Sequence, residues 1–132
     1  MYQILEHQAD TKIRIFDLNF DGVIESVVDS FREILVGKFK SDDTITRRIR
    51  IKENHNFQLL AIDAYNELIF LMDDQVIIPM TTRKIEHVDG WLEIEIGFYS
   101  MKDQTIIGTI PKAATCNSGD NSSDFFDVTL DL

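Results

Sequence analysis

Polar and apolar positions alternate over residues 11–17, where Ile13 and Ile15 interleave with Lys12 and Arg14. That period of two predicts a half-buried strand, and the apolar run over 2–9 predicts another before it. Asp10 and Thr11 fall between the two, where a tight turn or bulge would aim the carboxylate outward. The spacing then lengthens: Ile24, Val27, Val28, Phe31, Ile34 and Leu35 recur at helical intervals and predict a helix over 20–36. Asn19 is suited to cap its start and Gly37 to close its end. Alternation returns over 44–53, with Ile45, Ile49 and Ile51 on one face, Arg48, Arg50 and Lys52 on the other, and Arg47 breaking the apolar side. A second helix is expected over 56–72 behind Asn54-His55-Asn56, apolar enough to be buried on more than one side. From there the chain reads as strand. Residues 76–78 end at Pro79, which demotes that segment to an edge or a turn. Segments 83–88 and 91–99 flank Asp89-Gly90, a strong hairpin signal. Segments 105–114 and 124–132 form a final pair around a polar loop. The order ββαβα followed by strands predicts an α+β domain, two helices packed on a mainly antiparallel or mixed sheet, with residues 1–132 as a single domain.

Composition narrows the function classes. The 132 residues carry 23 acidic and 13 basic side chains, a formal charge of −10. Such a surface repels phosphates, so direct, tight nucleic-acid binding is not expected, and a basic partner protein or a metal cation fits better. The only cysteine, Cys116, allows neither an intramolecular disulfide nor a Cys-based zinc cluster. No stretch approaches the length of a membrane span and the first residues lack signal-peptide character, so the expected address is the cytoplasm.

Familiar catalytic patterns are missing. Neither GxGxxG nor GxxxxGK[ST] occurs, and His7, His55 and His87 match no hydrolase spacing. Carboxylates are the remaining chemistry. Strand alternation sends Val128, Leu130 and Leu132 to one face and Asp127, Thr129 and Asp131 to the other. With Asp10 alongside Asp131 and a terminal carboxylate on Leu132, oxygen donors would converge, a set preferred by Ca²⁺, Mg²⁺ or Mn²⁺. Two aspartates at strand ends are more often simply solvated, so spacing alone does not decide the matter.

The chain also resembles the archease family. An opening motif close to L-x-H-T-A-D is matched by Leu5-Glu6-His7-Gln8-Ala9-Asp10, and a helix pattern L-L-V-D-W-L-N-E-L-L-Y by residues 60–70, including Asp63, Asn66, Glu67 and Leu68. Pro111-Lys112-Ala113-Ala114-Thr115 and Val128-Thr129-Leu130-Asp131-Leu132 stand in place of the late I-K-A-V-T-Y-H and V-V-L-D-V segments. Gln8 replaces Thr, Ala64 replaces Trp, and the Tyr-His pair is absent, which marks a divergent member. The resemblance implies a protein cofactor of the GTP-dependent RNA ligase RtcB in tRNA splicing and repair, promoting ligase guanylylation and turnover without being an enzyme itself. It also implies a metal site at Asp10, Asp131 and Leu132, with His7, Lys112 and Glu67 as supporting or partner-facing residues. A small metal-dependent hydrolase and an acidic, chaperone-like module without metal are the alternatives.

Overall fold

In a computed structural model the described residues are 1–6, 10–37, 41–42, 45–74, 77–100, 110–116 and 121–132. Strands β1 (Tyr2–Glu6) and β2 (Asp10–Ile15) lead into helix α1 (Phe20–Val36), β3 (Ile45–Lys52) and helix α2 (Phe57–Asp74). Strands β4 (Ile77–Val88), β5 (Trp91–Ser100), β6 (Ala113–Thr115) and β7 (Phe126–Asp131) follow. The class is α+β, as the periodicity predicts.

The strands divide into two antiparallel sheets, one ordered β1-β2-β7-β6 and the other β3-β5-β4. Helix α1 packs against β4 and α2, while α2 also borders β3, β6 and β7. Ile13, Ile15, Val128 and Leu130 from the first sheet meet Ile49, Ile51, Leu92, Ile94, Ile96 and Phe98 from the second in one buried cluster with both helices.

Local chemistry sets the helix ends. Asn19 is extended and its side-chain oxygen accepts from the Gly22 N–H at 2.7 Å. At the other end Gly37 takes φ +61°, and its N–H donates to the Glu33 carbonyl; a left-handed residue here suits glycine. Asn56 begins α2 by accepting from Leu59 N–H with its side chain and from Leu60 N–H with its carbonyl. Helix α2 buries one continuous face (Leu60, Ala61, Ala64, Tyr65, Leu68 and Met72) and leaves Leu59 and Phe70 exposed. Burial on several sides, expected from its apolar content, is thus reduced to one face and its flanks. Inside, the Tyr65 and Ser30 hydroxyls sit 2.6 Å apart and tie the two helices together.

Of three other expectations, one is corrected, one holds in part, and one falls largely outside the described residues. Asp10 and Thr11 do not form a turn; both belong to β2, with Thr11 opposite Glu6. Pro79 does not end its strand, because β4 runs on to Val88 along the sheet edge, where a missing N–H is tolerated. Its register shifts between Pro79 and Thr81 and again between Thr82 and Lys84, and the Arg32 guanidinium donates to the Met80 carbonyl at the first shift. The strand expected over 105–114 is described only from residue 110, and its paired part is the short β6.

Candidate functional site

Strand β2 lies between β1 and β7, so the first and last strands of the described chain share a neighbour. Its register with β7 places Asp10 opposite Asp131, Lys12 opposite Thr129 and Arg14 opposite Asp127. Opposed residues of an antiparallel pair project from the same face. The face therefore carries a row of charge: Arg14 with Asp127 at one end, Asp10 with Asp131 at the other.

The two ends differ in electrostatics. Arg14 holds Asp127 through two parallel hydrogen bonds, Nε to Oδ1 at 2.9 Å and Nη2 to Oδ2 at 3.1 Å. The hydrogen bond to Asp127 is the main cause of an upward shift in the Arg14 pKa, opposed by desolvation. Phe125 lies 3.9 Å below the guanidinium, and the buried Gln58 amide donates to the Asp127 carbonyl at 3.0 Å. At this end the charges cancel.

At the other end, neither Asp10 nor Asp131 has an ion-pair partner among the described residues. Asp131 is exposed and Asp10 half-buried. On the far side of Asp131, Ala113 of β6 occupies the paired position with only a methyl group, and the Lys112 N–H donates to the Asp131 carbonyl at 2.7 Å. The Lys112 ammonium is exposed and makes no ion pair among the described residues. Two like charges directly opposite one another disfavour the ladder unless something positive bridges them. Two residues before Asp131, the Thr129 hydroxyl is buried with no hydrogen-bond partner among the described residues. All these donors are oxygen, the chemistry of a hard divalent cation rather than of zinc. No group of three or more His, Cys, Asp or Glu side chains forms among the described residues, so two carboxylates are the acidic donors available.

A family model described as the archease protein family (MTH1598/TM1083) matches residues 2–119. The chain belongs to the archease family. The match includes Asp10 and ends before Asp131. Two solved structures share the fold nearly end to end. One is protein 1598 of Methanobacterium thermoautotrophicum, with a TM-score of 0.70 and 20% identity over 99% of this chain and 98% of that one. The other is an archease, described as a possible chaperone, from Thermotoga maritima, with a TM-score of 0.62 and 17% identity over 100% of this chain and 98% of that one. No curated protein matches the chain.

The other residues singled out from the archease motifs scatter. His7 lies outside the described residues. Leu132 is half-buried next to Asp131. Glu67 is exposed on α2 and faces a groove shared with β3, beside Asp63. Its neighbour Asn66 serves the sheet, accepting from the Ala114 N–H at 3.0 Å. His55 and His87 both pack against Phe20 with tilted rings, and His87 Nε2 lies 3.1 Å from Asp21. Sequence reasoning missed Arg14, Asp127 and Gln58 as the fixed end of the row. The signal was present, since Arg14 shares the parity of Asp10 on the strand, and Asp127 that of Asp131.

Proposed function

We propose that this archease is a non-catalytic, cytoplasmic protein cofactor of an RtcB-type GTP-dependent RNA ligase. On this reading it promotes guanylylation of the ligase and its repeated turnover in tRNA splicing and RNA repair. Family membership supports the class. The observation that carries the site is the opposition of Asp10 and Asp131, two carboxylates without an ion-pair partner among the described residues, in one register with the Arg14–Asp127 ion pair. Asp10 and Asp131 would hold a Ca²⁺, Mg²⁺ or Mn²⁺ ion, which would supply positive charge between two opposed carboxylates. With few protein donors committed, such a site leaves coordination positions for water or for oxygens of the partner.

Single-turnover guanylylation of the cognate ligase with GTP, with and without this protein, tests the proposal. Acceleration by the wild type that Asp10→Ala and Asp131→Ala both remove, in folded variants, supports it. No acceleration of a demonstrably active ligase would overturn it. The description of the Thermotoga maritima archease as a possible chaperone favours a second reading, an acidic binding module that works without metal. Acceleration that survives both substitutions and chelation supports that one.

A further inference from the structure

Exposed strand edges are templates for pairing with another chain, and proteins usually blunt them. Three of the four sheet edges here are blunted by shortness or irregularity. Strand β4 carries Pro79 and two register shifts and lies against α1. Strand β1 has five residues and β6 three, the latter beside α2. The fourth edge, β3, also borders α2 and carries Arg47, Arg48, Arg50 and Lys52, so its guard is charge rather than shortness or irregularity. It runs eight residues in unbroken register with β5, from Ile45 opposite Phe98 to Lys52 opposite Trp91. No other strand pairs with it among the described residues.

A groove of about 250 Å³ lies at the Arg50–Lys52 end of this strand, between it and α2. It is lined by Arg50, Ile51 and Lys52 of β3, Trp91 of β5, and Asp63, Asn66 and Glu67 of α2. Its walls are chemically unlike. Arg50 and Lys52 stand on the β3 side, with the Arg50 guanidinium 4.4 Å over the Trp91 ring. Asp63 and Glu67 stand on the α2 side, four residues apart on one helical stripe. No ion pair joins the two walls among the described residues. Cross-strand glutamates meet the outer cations only loosely, Glu95 at 3.8 Å from Arg48 and Glu93 at 3.7 Å from Arg50, all substantially exposed.

We infer that the edge of β3 left unpaired among the described residues accepts an extended segment of a partner protein as an added strand, with acidic residues at alternate positions. Side chains on one face of that strand meet Arg48, Arg50 and Lys52 and so must be carboxylates. Those on the other face lie opposite Ile45, Arg47, Ile49 and Ile51 and so are apolar or neutral polar, with a basic or amide residue only beside Asp63 and Glu67 at the Ile51 end. The same cations oppose self-pairing, because a second copy of β3 would set arginine against arginine. Main-chain hydrogen bonds supply the affinity and the alternating charges the specificity. The inference does not depend on Asp10 or Asp131.

Trp91 is the only tryptophan in the chain and lines the groove, so its fluorescence reports occupancy. The probe is a synthetic eight-residue peptide in which Glu alternates with Thr and Lys, titrated into the full chain. Comparators are the same peptide with Lys for every Glu, two versions N-methylated along one or the other backbone edge, and an oligouridylate. The expected result is a saturable change at Trp91 and slowed amide exchange at alternate residues of Ile45–Lys52. Affinity should fall at least about tenfold with the lysine peptide and with folded Arg50→Glu/Lys52→Glu protein, and one N-methylated version should fail to bind. Equal binding of both N-methylated peptides would reduce the contact to charge alone and overturn strand addition. Tighter binding of the oligouridylate, or no change at millimolar peptide, would overturn it as well.

Discussion

Arg14 and Asp127 form a two-point ion pair across the ladder whose other end sets Asp10 opposite Asp131. One register serves both pairs, and a slip of one residue would reverse every side chain on the strand. Asp127→Ala should therefore lower the unfolding free energy by about 1–3 kcal/mol through loss of charge-assisted hydrogen bonds to a buried acceptor. Urea denaturation checks this. A change within error would mean that the apolar pairs Ile13–Val128 and Ile15–Phe126 hold the register unaided.

The unpaired end makes the opposite forecast. In chelator, Asp10→Asn or Asp131→Asn should stabilise the protein by about 0.2–1 kcal/mol, because a like-charged cross-strand pair is relieved. In millimolar Ca²⁺ or Mg²⁺ the wild type should melt at higher temperature than in chelator, and both variants should lose that gain. Thermal melts of the three proteins in the two buffers decide it. A cation response retained by both variants would place the binding elsewhere.

Two tyrosines make stability fall at high pH. Burial, together with the hydrogen bond and charge of Glu33, pushes Tyr2 up to about 12. Burial pushes Tyr65 up further, with Ser30 opposing. A raised folded value means that the native state holds its proton more tightly than the unfolded chain, so stability is full below about 10 and declines as pH rises beyond it. Melting temperatures should fall steeply above pH 10, and less steeply for Tyr65→Phe. Because Ser30 also donates to the Val27 carbonyl, that variant should cost only about 1 kcal/mol at pH 7.

The β4–β5 hairpin turns on Asp89 at φ +51° and Gly90 at φ +81°, the left-handed pair that a two-residue loop requires. A methyl group added at Gly90 would touch nothing within 4 Å. Gly90→Ala should therefore cost about 1 kcal/mol from backbone strain alone, measured by chemical denaturation. A much larger loss would mean that the Glu53 N–H bond to the Gly90 carbonyl had been broken too.

Elements governed by neighbours in sequence were legible, and those governed by distant partners were not. Helix α1 follows from its apolar spacing and from Asn19 and Gly37. The β4–β5 turn follows from Asp89-Gly90. The continuity of β4 through Pro79 depends on its position at an edge beside α1, which no local pattern records. The split into two sheets likewise depends on which strand β2 and β5 choose. At the site, alternation assigned Asp127, Thr129 and Asp131 to one face correctly, and the family resemblance brought Asp10 to the same corner. Arg14 looked like an ordinary solvated strand residue because its partner is 113 positions away.

That separation has a kinetic meaning. Pairing β2 with β7 closes nearly the whole chain into a loop, the kind of contact that forms late and slowly compared with a helix or a two-residue hairpin. During synthesis the first acidic residue of the pair waits, unopposed, until β7 has left the ribosome. The Asp10–Asp131 corner thus exists only in molecules in which β2 and β7 have met, and a chain stalled or clipped before β7 would present one carboxylate of the pair.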